Sequence, residues 1–217
     1  MQDSLTSELE SDIIFGRYAP GSRIIEDRVM EHYSAKRHAI RNAFAILEAR
    51  GLLVRHPNRG VEVVDFTPDE VDALYDVRIV LETAASERTA LPCSPDVLAR
   101  LKDIASRHEK AVKINDVQAV YWLNLEFHEV QYSCCDNPLL AELISNHARV
   151  AQPIRVVKYD DTEHMKTIVA QHLAILSALS GTSNQTLVDA VRAHLPASAE
   201  AYRTLYNRRF GVRTAKS

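Results

Sequence analysis

The stretch SAKRHAIRNAFAILEARGLLVRHPNRGVEVV, Ser34 to Val64, decides how this chain folds. Ala39, Ile40, Ala43, Phe44, Ile46 and Leu47 recur at the spacing of one helix face. Gly51 should stop that helix, because glycine takes a left-handed closing conformation at little cost. Ser34 is the expected N-cap. LLVRHPNRGVEVV then alternates around Pro57-Asn58-Arg59-Gly60, which predicts two strands joined by a hairpin with a basic tip.

Toward the N-terminus, Leu5, Leu9, Ile13 and Ile14 sit near helical spacing over Leu5 to Phe15, and Gly16 ends the run. Pro20-Gly21 makes a turn, and Ile25 to Tyr33 reads as a second short helix. Three helices followed by a hairpin form a winged helix-turn-helix, whose third helix enters the DNA major groove. Charge agrees with this reading. The whole chain carries −3, but from Lys36 to Arg59 six basic side chains face only Glu48, a local +5. Lys36, Arg37, His38 and Arg41 cluster at the N-terminal end of the third helix, where such helices meet base edges and phosphates. Arg59 and Gly60 fall at the wing tip, suited to a minor groove or a phosphate.

The remainder is helical. Asp65-Phe66-Thr67-Pro68 links residues 1–66 to residues 67–217, with Thr67, Pro68 and Glu70 arranged as a capping box. Helices are predicted at about 68–90, 95–113, 116–135, 138–157, 161–179 and 183–209. Pro153 should kink or break the fourth of these. The fold class is mainly α: a winged helix-turn-helix followed by an all-α bundle.

Composition excludes several classes. With 46% hydrophobic and 25% charged residues the chain reads as globular. No run of 18 apolar residues exists, so no membrane span is expected. The acidic start MQDSLTSELESDIIFG lacks the basic and apolar regions of a signal peptide, so a cytoplasmic location is expected. Cys93, Cys134 and Cys135 are an odd set without CxxC spacing, and three reduced thiols are expected.

Residues 5–65 resemble the DNA-binding domain of GntR-family transcription regulators. The matching pieces are IIFGRYAPGSRI, EDRVMEHYSAKRHAIRNAFAILEARGLL and NRGVEVV. The rest is similar to the FCD subfamily, an all-helical effector-binding and dimerisation domain, through DVRIVLETAASERTA, NLEFHEVQYSCCDNPLL, AQHLAILSAL and VRAHL. By this resemblance Arg37 and Arg41 match the family's two DNA-contacting arginines. Lys36 and His38 stand where small polar residues are usual, and Asn42 replaces a glutamate. Groove placement should survive these changes, whereas the operator read should differ, because base-edge contacts set specificity.

The resemblance also implies an Asp-x-x-x-His pair and two later histidines that hold a divalent metal. The matching positions are Asn124, His128, His172 and His194. Asn124 and His128 share a helix face by their spacing. Neutral imidazoles suit zinc or nickel, and asparagine can ligate through its oxygen without adding charge. The alternative is a pocket in which the same residues hydrogen-bond an acid directly. Arg78 is a candidate effector clamp, since its fork suits carboxylates, although Glu82 one turn on could claim it; Arg149 is a second candidate. His108, His147 and His164 read as satisfied or surface side chains.

These features imply a ligand-responsive regulator, expected to repress, that binds double-stranded operator DNA as a homodimer and senses a small organic acid. One alternative is a metal-independent regulator of a larger apolar acid or acyl ligand. A more remote one is a histidine-metal hydrolase. No HExxH arrangement or nucleophile–base pair supports an enzyme.

Overall fold

A computed structural model of the chain describes residues 2–57 and 59–210; Asn58, expected at the hairpin tip, lies outside the described residues. Two compact units result: Met1–Phe66 with Arg149–Pro153, and Thr67–Ala148 with Ile154–Ser217.

In the first unit, helices α1 (Gln2–Ile14), α2 (Glu26–His32) and α3 (Arg37–Ala49) precede strands β2 (Leu53–His56) and β3 (Gly60–Val63). The α3 positions at helical spacing are the buried ones: Ile40, Ala43, Phe44 and Leu47 are at most 1% exposed. They join Leu9, Ile13, Val29, Leu52 and Val61 in one core. Gly51 closes α3 with φ +74, a conformation that costs other residues a Cβ clash. Ser34 is not the cap. It adopts φ +48 in the turn, and Lys36 holds the N-cap position without a side-chain hydrogen bond. The hairpin pairs Leu53 with Val63 and Val54 with Glu62. A further strand, β1 (Arg23–Ile24), pairs antiparallel with β3, so the sheet has order β1-β3-β2. Two residues are too few to show an alternation, so the sequence pattern did not reveal β1.

In the second unit, α4 (Pro68–Glu87) opens with the capping box: Glu70 N–H donates to Thr67 Oγ1 at 3.3 Å and Thr67 N–H donates to Glu70 Oε2 at 2.8 Å. Ser94, Asp116, Asp161 and Ser183 cap α5 (Pro95–Lys113), α6 (Val117–Ser133), α9 (Thr162–Leu179) and α10 (Asn184–His194) with side-chain oxygens that accept first-turn N–H groups. Two prolines split segments that the periodicity alone reads as continuous. Instead of one helix over 138–157, α7 (Pro138–Val150) stops and α8 (Gln152–Arg155) starts afresh around Pro153. Instead of one helix over 183–209, Pro196 ends α10 and begins α11 (Pro196–Phe210), because it lacks the N–H that helix continuation requires.

Helix α5 packs against α6 and α9, α9 against α10, and α10 and α11 against α4. Leu101, Ile104, Tyr121, Phe127 and Ile175 are at most 1% exposed. Each such side chain contributes roughly 2 kcal/mol through burial. The Asn184 side chain donates to Ser86 O and Thr89 O, both at 2.8 Å, and so satisfies carbonyls at the end of α4. All three cysteines are free thiols.

Candidate metal centre and DNA-contacting helix

Residues Asn124 and His128 of α6, His172 of α9 and His194 of α10 are all buried, with 1–8% exposure. One ligating atom from each of His128, His172 and His194 lies within 4.8 Å of the other two. The hydrogen bonds around His194 fix where its proton sits. Gln171 Nε2 donates to Ala193 O at 3.0 Å, so the oxygen of that amide faces His194 Nδ1, also at 3.0 Å. His194 Nδ1 is therefore protonated and its Nε2 carries a lone pair. His128 Nδ1 faces the Gln131 side-chain amide at 3.0 Å, but Gln131 Nε2 has no partner that would orient that amide. The two Nε2 atoms approach to 3.1 Å, a gap that either an Nε2 proton of neutral His128 or a cation ligated by both rings bridges.

A divalent cation is one occupant of that gap. A charged imidazolium is a poor one. Burial first, then the charge of Arg155, pushes His194 down to about 3 and holds His128 well below the ordinary imidazole range. His172 is depressed by burial and by His194, and both of its ring nitrogens lack partners. The donor set fits a divalent metal, and Gln131 and Gln171 are placed where they would orient its imidazoles from outside. Asn124 Nδ2 donates to Tyr159 Oη at 3.1 Å, which leaves Oδ1 as its only possible ligating atom.

The arginine expectations fare differently. Arg78 is 5% exposed, and its guanidinium is committed to Glu82 Oε1 through Nε and Nη2, each at 2.9 Å. Glu82 also accepts from the Tyr132 hydroxyl. Arg149 is exposed and groups with the first unit, where its charge acts on Glu10. The buried cation beside them is Arg155, 4% exposed. It hydrogen-bonds Tyr159 and lowers His108, His128, His172 and His194. Its only sequence signal is its place two residues after Pro153. His147 is a surface side chain with Nδ1 against Leu143 O at 2.8 Å. His108 is not: it is 1% exposed, neither nitrogen has a partner, and its ring centroid lies 4.9 Å from that of His172. His164 Nε2 is likewise buried without a partner.

In the first unit, Lys36, Arg37, His38 and Arg41 all lie exposed on or beside the first turns of α3, and Arg59 and Gly60 are exposed at the start of β3. The two arginines have acidic partners on α2. Arg37 donates to Glu26 Oε1 at 3.0 Å and to Asp27 Oδ1 at 2.8 Å. Arg41 Nε reaches both Glu26 oxygens at 3.1 Å. The charge tally over residues 36–59 missed these acids because they lie ten residues upstream of α3.

Comparison with known proteins places the chain. Residues 2–63 match the gntR family of bacterial regulatory proteins, and residues 73–197 match the FCD domain. The chain belongs to this family of transcription regulators, and the hydrolase alternative falls with that assignment. It is 27% identical over 190 residues to the uncharacterized HTH-type transcriptional regulator YdhC of Bacillus subtilis, covering 87% of this chain and 84% of that one. It is 24% identical over 197 residues to the HTH-type transcriptional repressor RspR of Escherichia coli, covering 91% and 86%. The fold matches that of E. coli McbR/YncC with a TM-score of 0.80 at 18% identity, over 95% of this chain and 98% of that one. Among the described residues no helix is long and apolar enough to cross a membrane.

Proposed function

We propose that the protein is a cytoplasmic, metal-dependent repressor that binds operator DNA as a homodimer and responds to a small organic acid. The observation that supports the metal is the convergence of one ligating atom from each of the buried His128, His172 and His194 within 4.8 Å of one another. His128, His172 and His194 would hold zinc or nickel, with Asn124 Oδ1 as a neutral fourth donor. The bound ion would supply a Lewis-acidic position for an effector oxygen. The buried charge of Arg155 supports an anionic effector.

Lys36, Arg37, His38 and Arg41 would contact the major groove, with Arg59 and Gly60 at the wing. No side chain caps the first N–H groups of α3, which leaves them available to a phosphate. Effector binding would favour one arrangement of the two DNA-binding units in the dimer and so shift operator affinity. Repression is taken from the similarity to the repressor RspR.

The test is metal analysis of protein purified without a histidine tag and supplied with zinc or nickel. About one equivalent per chain is expected, and less than about 0.2 equivalents rejects the metal. His194→Ala should lose the metal and the effector response while still binding DNA.

A further inference from the structure

Strand β1 adds an arginine to the wing that neither the hairpin nor the third helix contains. Arg23 opens β1 and lies opposite Glu62 of β3, while the next pair, Ile24 and Val61, is buried in the core. Arg23 and Glu62 therefore share the outer face of the sheet. Opposite charges so placed ordinarily pair. Here they do not. Glu62 Oε2 lies 3.6 Å from His56 Nε2. The Arg23 side chain has no hydrogen bond or ion pair among the described residues. Its guanidinium turns instead over Gly60, where an added Cβ would lie 3.5 Å from Nε and 3.6 Å from Nη2. Gly60 and the neighbouring Arg59 are both exposed, so the charge of Arg23 sits beside the wing turn.

Most arginines around it are already engaged. Arg37 and Arg41 are held by Glu26 and Asp27, and Arg55 by Glu48. An incoming phosphate must displace a carboxylate from each of those. At Arg23 it displaces none, so the full charge and the guanidinium fork are free for it. Position argues for the backbone over the bases. With strand order β1-β3-β2, β1 is the outer strand beside the hairpin. A side chain there flanks a groove that the wing turn enters and faces the sugar-phosphate strand beside it.

We infer that Arg23 is a further DNA-contacting residue, which binds a backbone phosphate next to the wing and adds affinity without choosing sequence. This rests on the operator-binding reading above and extends the interface from the hairpin to β1. Gly60 has a part in it. Its bare backbone at φ +86 is the surface over which the Arg23 guanidinium lies.

The experiment is fluorescence anisotropy of the full chain over a series of salt concentrations. It uses a duplex that the unaltered protein selects from a random pool, and a scrambled duplex. Arg23→Gln should weaken both by a similar factor, about 5-fold, and lower the slope of log affinity against log salt by about one unit. Arg23→Lys, which keeps the charge, should restore the slope and controls for folding. Lys102→Gln removes the same charge from the exposed face of α5 and should leave the slope alone. Loss on the selected duplex alone would assign Arg23 to a base edge and overturn the phosphate contact. An equal loss in Lys102→Gln would reduce the effect to net charge and overturn it too. An unchanged slope in Arg23→Gln, with Arg37→Ala or Arg41→Ala still weakening the selected duplex, would overturn the role of Arg23 and leave operator binding standing. Enrichment of no duplex would overturn both.

Discussion

The Nε2 atoms of His128 and His194 lie 3.1 Å apart, and each belongs to a ring whose Nδ1 faces a glutamine side-chain amide. Gln171 thereby determines what His194 can bind. Gln171→Leu removes the acceptor that fixes the His194 tautomer, and zinc affinity should fall about 10- to 100-fold by competition against a chromophoric chelator. Unchanged affinity would show that the tautomer is fixed by something else.

Asn124→Asp should act in the opposite direction. It adds a charged oxygen beside the imidazoles and should raise metal affinity, measured in the same competition. It also cancels one positive charge in the pocket, so any acid that binds should bind more weakly. A variant that tightens both would contradict the proposed electrostatics.

Acid should destabilise the metal-free protein in a defined window. Burial pushes His108 down to about 4 and His194 to about 3, whereas the ordinary value is 6.5. Below 6.5 the unfolded chain therefore binds protons that the folded unit excludes. Stability is full above that pH and falls as pH drops toward 4, by about 1.4 kcal/mol per pH unit for each such histidine. Urea unfolding at about pH 7.5 and about pH 5.5 reads this slope, and His108→Phe should make it shallower.

Arg78→Leu strands the Glu82 carboxylate in the core next to Tyr132. The cost should be about 3–5 kcal/mol in chemical unfolding. The double variant Arg78→Leu/Glu82→Leu should cost less than Arg78→Leu alone, since no buried charge is left unpaired. A larger loss in the double variant would mean the pair stabilises the fold outright.

For DNA, Arg37→Ala and Arg41→Ala should each cost about 1–3 kcal/mol against a duplex selected from a random pool by the unaltered protein. Glu26→Gln frees Arg41 and leaves Arg37 only its contact with Asp27. It should strengthen binding to unselected duplex and steepen its salt dependence by about one unit. Indifference of both arginine variants would remove α3 from the interface.

Much of this was legible in the sequence. Gly51, Thr67 and the apolar face of α3 each state a local rule that the structure obeys. His128, His172 and His194 were recognisable because the chain resembles a family that carries them. What escaped was relational. Arg155 and His108 look like ordinary helix residues until packing removes their solvent, and the acids that hold Arg37 and Arg41 lie on another helix. Pro196 was visible but was passed over by a periodicity that runs through it.

The side chain of Asn184 bonds carbonyls 95 and 98 residues earlier in the chain. During synthesis those groups at the end of α4 must wait for their partner. At ribosomal rates of about 5–20 residues per second the delay is roughly 5–20 s. For that interval the last turn of α4 has only water to complete its hydrogen bonds. The nascent second unit therefore closes late at a junction whose two halves are almost half a chain apart.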